Sequence, residues 1–205
     1  MDSIDPFGTG TVAASNNIFD TARVRMDNTV MYSLDAAGFT GSLAYSFGEQ
    51  TTGISASAAY GARLGYANGP INVQLAYHDA NNTTNTGDYK VAFMGGTYNF
   101  GVAKIHAAYE KTDADAGIYG SVARTALDSN TYLLGASAPI GAGTLMASWI
   151  RNDNKLLNVD TDQYGIGYAH QLSKRTAVYT TYARTKIDRA ADDIDRFQVG
   201  YQHKF

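Results

Sequence analysis

The chain has 205 residues, a formal net charge of -3 and no cysteine, which excludes disulfides, thiolate nucleophiles and cysteine-held zinc or iron–sulfur centres and leaves no basic field for nucleic acid. Only 17% of residues are charged, while glycine reaches 21 and tyrosine 15. No apolar run is long enough for a transmembrane helix, and the opening "MDSIDPFGTG" has neither the basic start nor the apolar stretch of a secretory signal.

Residues 1–24 read as a connection: polar, glycine-bearing and acidic near the start at Asp2 and Asp5. Such a segment is a surface loop or one folded inward, and its composition alone favours the surface. From residue 25 onward, period-two alternation replaces any helical period. Eleven strands are predicted, at 25–34, 39–47, 59–67, 71–79, 89–99, 102–111, 131–138, 143–151, 162–171, 175–185 and 195–205. Their connections alternate in length. "DAAG", "NGP", the turn at Phe100–Gly101, "PIGAG" and "LSK" are short; "GEQTTGISASA", "HDANNTTNTGD", "KTDADAGIYGSVARTALDSN", "NDNKLLNVDTD" and "KIDRAADDI" are long and hold most of the acids. Glycine, asparagine and proline supply the tight turns.

Short turns on one rim and long loops on the other are the mark of an up-and-down meander. A membrane barrel combines that asymmetry with strands near ten residues and weak alternation; a soluble sandwich uses Greek-key connections. Sidedness agrees from strand to strand. Ile71, Val73, Leu75 and Tyr77 oppose Asn72, Gln74 and His78; Ile105, Ala107 and Tyr109 oppose Lys104, His106 and Glu110; Tyr164, Ile166 and Tyr168 oppose Gln163, Gly165 and Gly167. The polar faces are small and neutral, as a wall beside a narrow watery channel requires. In lipid no backbone group is left unpaired, so the sheet must close. Tyr32, Tyr77, Tyr109, Tyr168 and Tyr201 are expected at headgroup level. The terminal "DRFQVGYQHKF" keeps its apolar face to Phe205, and the first and last strands point the same way. Bacterial barrels have even strand counts, so an odd number of strands is expected ahead of residue 25.

"RMDNTVMY", "AAGFTGSLAYSFGE", "YANGPINVQLAY", "LSKRTAVYTTYA" and "VGYQHKF", in that order, resemble the bacterial general porins of the outer membrane, nearest to the sixteen-stranded beta-proteobacterial type. One departure is "SLDAAG", with Leu34 where the family often has proline. The resemblance implies an all-β, antiparallel up-and-down transmembrane β-barrel, of which residues 25–205 supply the C-terminal part and five strands are absent. It makes residues 1–24 the tail of the third loop, folded inward, which reverses the surface preference. Asp2 and Asp5 then lie near the constriction, with Arg23, Arg25 and Asp27 on the facing wall and Lys104, His106, Glu110, Arg196 and Lys204 tuning the lumen. Phe205 and Tyr201 match the family's membrane-insertion signal, read by the outer-membrane assembly machinery. The implied function is passive diffusion of ions and small hydrophilic solutes by a homotrimer embedded in the lipid bilayer, with no cofactor.

The enzyme alternative lacks a site: "GxSxG" is absent, and His106 and Glu110 are four apart on a strand rather than on a helix. A non-conducting adhesive barrel is the better rival. It would act through the longest loop, whose mildly apolar "GIYGSVA" would pack on a neighbouring subunit or lie across the mouth.

Overall fold

A computed structural model describes residues 3–8, 10–20, 26–48, 50–51 and 53–204. Asp2, Arg23, Arg25 and Phe205 lie outside the described residues. Eleven strands form one sheet: β1 (Thr29–Ala36), β2 (Phe39–Ser46), β3 (Ala59–Asn68), β4 (Ile71–Asn81), β5 (Asp88–Asn99), β6 (Lys104–Ala114), β9 (Leu127–Ile140), β10 (Gly143–Asn154), β11 (Val159–Ser173), β12 (Thr176–Ile187) and β13 (Ile194–His203). Two further strands, β7 (Gly117–Tyr119) and β8 (Val122–Arg124), make a separate hairpin inside the longest loop. The sheet order is β1-β2-β3-β4-β5-β6-β9-β10-β11-β12-β13 and every described pairing is antiparallel, so β1 and β13 run the same way, each with one edge open among the described residues.

The meander and its loop rhythm are those of the sequence reading, with two corrections at the long-loop rim. First, strands from β4 onward run further there than their composition indicates, whereas β1 begins at Thr29 instead of residue 25. β10 and β11 stay paired to Asn154↔Val159, inside what reads as the loop "NDNKLLNVDTD". Arg151 explains it: its guanidinium pairs with Asp160 and Asp162 on the adjacent strand, so charges at the predicted strand ends hold the ladder together into the loop. Second, "GIYGSVA" is a β-hairpin. Gly120 at φ 61 makes its turn, and Tyr119 is fully buried.

On the short-turn rim, "DAAG" turns through Ala37 at φ 52 and Gly38 at φ 83, the mirror-image turn that matches the strand twist. Gly38 also has no room for a side chain, since a Cβ would stand 2.6 Å from the Ala67 carbonyl oxygen.

The two faces differ as the alternation requires. One is apolar and exposed, with Val73, Leu75, Met94, Ile105, Leu134, Leu145, Ile166, Phe197 and Val199. Near the long-loop rim this face carries a belt in which aromatic side chains donate to carboxylates: Tyr60 and Tyr77 to Asp79 at 2.9 and 3.1 Å, Trp149 to Asp162 at 2.8 Å, and Tyr182 to Asp195 at 2.6 Å. Cations sit among these acids, including Arg184 at 2.8 Å from Asp195 and Lys111 paired with Asp128. Phe39, Tyr66, Tyr98, Phe100 and Tyr201 mark the short-turn end. Aromatic bands flanking an apolar zone are the profile of a wall that meets hydrocarbon.

Ile166, at the middle of β11 and 52% exposed on this face, tests that orientation. Ile166→Arg is expected to destabilise the folded protein by about 2–4 kcal/mol in a bilayer, whereas Ala169→Asn, on the opposite face, has little effect. Equilibrium urea unfolding in lipid vesicles reads both.

Candidate functional site

The second face of the sheet is occupied. Residues 4–8 and 10–20 lie across it and touch strands from β5 to β13, which overturns the surface placement that composition alone favours for this segment. Phe7 and Ala13 pack with Ala183 and Met146, while Phe19 packs with Leu133, Ile150 and Phe93. The rings of Phe19 and Phe93 meet edge-on at 6.3 Å. Ile4 is fully buried. Each buried side chain of this size contributes about 1.5–3 kcal/mol relative to exposure.

Glycine makes the seat. A Cβ on Gly135 would lie 2.9 Å from the Pro6 ring, one on Gly165 2.8 Å from the Ala13 Cβ, and one on Gly167 2.9 Å from the Phe7 ring. Gly95 stands in the same relation to Ile4, at 3.1 Å. The small residues of the polar face are therefore a bed for backbone as well as the border of a watery space.

Four polar wall side chains then satisfy the backbone of the segment. The His106 ring nitrogen Nδ1 lies 2.8 Å from the Ile4 carbonyl oxygen, and Nε2 lies 3.0 Å from the Ser137 hydroxyl. Glu110 Oε1 accepts the Asp20 N–H at 2.8 Å. Gln163 donates to the Ala13 carbonyl at 3.2 Å. Gln198 works in both directions, accepting the Val12 N–H at 3.0 Å and donating to the Gly10 carbonyl at 3.3 Å. Backbone buried without such partners would be strongly penalised.

The sequence-predicted residues divide accordingly. His106 and Glu110 are each 3% exposed; they face the side that alternation assigns, but they hold the segment instead of lining open water. Asp5 is 7% exposed and clamps its own segment, accepting the Phe7 N–H at 2.8 Å and the Ser15 N–H at 2.6 Å. Asp27 precedes β1 and is exposed, so it does not share the strand alternation assumed for it. Its carbonyl oxygen accepts hydroxyls of Ser46 at 2.6 Å and Thr29 at 3.1 Å. Lys104 is half-buried at the short-turn end of β6. Arg196 is exposed on β13 and donates to the Thr185 hydroxyl at 3.3 Å. Tyr201 points outward, 65% exposed, beside the stacked ring of His203.

Several residues at this site escaped the sequence reading. Gln163 and Gln198 have the right alternation but carry no charge to draw notice. Arg63, exposed on β3 and donating to Gln74 at 3.2 Å, shares the inner face. Asp20 and Arg124 form an ion pair at 2.7 Å across 104 positions of sequence, beyond any local pattern.

The seated segment leaves open space on both sides. Toward the short turns a cavity of about 510 Å³ is lined by Phe7, Thr11, Met146, Gln171, Tyr179 and Thr181. Toward the long loops a second, of about 430 Å³, is lined by Asn17, Asn152, Thr161, Thr185, Ile194 and Arg196. No cluster of metal-ligating side chains occurs among the described residues.

Comparison with known proteins agrees with this architecture. The family model described as Gram-negative porin matches residues 1–190. An outer-membrane porin protein of Bordetella pertussis is 30% identical over 99% of this chain and 64% of its own length. Outer membrane porin protein 32 of Delftia acidovorans is 34% identical over 82% of this chain and 48% of its own. The chain thus spans less than two thirds of the length of either relative. Among solved structures, an anion-selective porin from Comamonas acidovorans superposes with a TM-score of 0.73 at 29% identity, covering 88% of this chain and 60% of that one. With a meander of antiparallel strands, an apolar outer face and a segment folded against the inner one, the chain belongs to the Gram-negative porin family of outer-membrane β-barrels.

Proposed function

We propose that the chain forms the wall and constriction of a passive diffusion channel for ions and small hydrophilic solutes. The observation that carries the proposal is the seated segment: residues 4–8 and 10–20 cross the inner face with open space above and below, the outline of a neck between two vestibules. The segment is then the tail of the constricting third loop, and residues 25–205 are the C-terminal part of the barrel. A plugged, adhesive barrel has no use for cavities on both sides of its plug. Transport of this kind is not catalysis; it is width and field. Family relatives also motivate a homotrimer, and the outward Tyr201 with Phe205 fits recognition by the assembly machinery.

Cations outnumber exposed acids on the strands of the described inner face. Arg63 and Arg196 are exposed and Lys104 is half-buried, against the exposed Asp35 of β1 opposite Thr40, while Asp5 and Glu110 are covered and occupied by backbone N–H groups. A charged wall beside a narrow aqueous path raises the local concentration of the opposite charge. We therefore assign a preference for anions, the property named for the Comamonas porin.

Two measurements on the full-length protein test this reading. In planar bilayers under a KCl gradient, stepwise conductance with a chloride-selective reversal potential is expected, and Arg196→Glu or Arg63→Glu lowers the chloride-to-potassium permeability ratio severalfold; silence, or unchanged selectivity in both variants, contradicts it. Separately, Gly165→Leu forces a side chain into the seat of Ala13 and Phe7, so the segment shifts. Conductance then changes, and liposome swelling admits larger sugars than the parent protein does.

A further inference from the structure

The β7–β8 hairpin is fastened at both ends of its reach. Beside its turn, Tyr119 is fully buried and its hydroxyl donates to the Asp88 and Asp115 carbonyls at 2.7 and 3.1 Å. Its ring meets Tyr89 of the inner wall at a tilt, with centroids 5.8 Å apart, in a cluster that includes Ala59, Ala80, Val91 and Ala114. Burial, with the Asp115 and Asp88 carboxylates nearby, pushes the Tyr119 phenol up from its ordinary value, so it remains a donor at any physiological pH. The Ile118 carbonyl accepts the Thr83 N–H at 2.8 Å, which ties the hairpin to the neighbouring long loop as well.

At the other end, where Arg124 pairs with Gly117 at the base of the hairpin, one side chain of β8 reaches further. Arg124 lies over the Tyr89 ring at 4.0 Å and donates through Nη1 to Asp20 Oδ2 at 2.7 Å. The two side chains are 19% and 16% exposed, well covered for an ion pair in a loop. Asp20 closes the seated segment, and its own N–H is held by Glu110. A covered, planar guanidinium that both stacks on an aromatic ring and pairs with a carboxylate is a directional contact that a lysine reproduces only in charge.

We propose that Arg124 is a positioning residue of the constriction: it fastens the loop hairpin to the seated segment, so that hairpin and neck move as one body. The inference rests on the channel reading for its consequence, and on the Arg124–Asp20–Tyr89 contact for its existence. If the neck is fixed partly from above, a solute or ligand that lifts the hairpin also changes the aperture, although the hairpin lies outside the membrane-spanning strands.

The chain has no cysteine, so Ser121→Cys at the exposed hairpin tip, with any cysteine outside these 205 residues replaced by serine, gives a unique site for a nitroxide label. In the full-length protein, Arg124→Ala is expected to raise label mobility and open-channel current noise together. Asp20→Ala does the same, and the double variant is no worse than either single one. Arg124→Lys recovers the noise only in part. Circular dichroism of the β-sheet selects folded protein in each case. Parental mobility and noise in Arg124→Ala, or single effects that simply add in the double variant, overturn the proposal. A parent protein without conductance would refute the channel reading instead, and the label mobility would still decide whether the fastening exists.

Discussion

Each strand of this wall serves two demands with one alternation. Its odd or even positions face hydrocarbon, where no water is present to satisfy a backbone group, so the ladders must be complete. On β5, β6 and β9 to β13 the remaining positions face a piece of the same chain that has been folded inward. That piece has mostly irregular backbone, a single short turn of 3-10 helix at Ser15–Asn17 aside, and irregular backbone at membrane depth is tolerated only when protein or enclosed water satisfies it. The inner positions of β5 to β13 are therefore constrained in two ways: small where the segment must approach, and hydrogen-bonding where its peptide groups would otherwise be unpaired.

These constraints decide identities position by position. Gly165 and Gly167 on β11 flank no turn; they are glycine because Ala13 and Phe7 occupy the volume a side chain would need. Two positions along the same strand, Gln163 is long and polar because the carbonyls of Ala13 and Ala14 lie within its reach. Buried, such bonds contribute about 0.5–1.5 kcal/mol each. The apolar anchors Ile4, Phe7 and Phe19 contribute more, but they do not choose a register. The amides of Gln163 and Gln198 do, since they bond to particular peptide groups. Packing holds the segment on the wall, and the polar side chains fix where along the wall it lies.

The sheet was largely legible in the sequence because its signal is repeated eleven times and each repeat is short-range. Where the reading failed, physical ambiguity was the cause. Asp160 reads as a loop residue, and Arg151 and Asp162 as strand ends, until they are seen to pair across β10 and β11. The glycines of β11 fit a wet wall and a packed seat equally well, because alternation reports which side a residue faces and says nothing of what faces it. His106 and Glu110 were placed on the correct side for that reason and given the wrong surroundings. Arg124 and Asp20 are joined only by the tertiary fold, and no spacing rule connects residues that far apart.

The outward belt of acids and cations is asymmetric along the strands. Asp79, Asp128, Asp162 and Asp195 with their tyrosine, tryptophan and basic partners gather toward one rim, and the other rim ends in rings such as Phe39, Tyr66 and Tyr98. The wall consequently has a set draught in the membrane. Sinking it by a turn of strand would drag paired charges into the oil, and raising it would strand the aromatic edge in water. A segment seated inside such a wall is held at a constant depth relative to the lipid, so its level is fixed from the outer face.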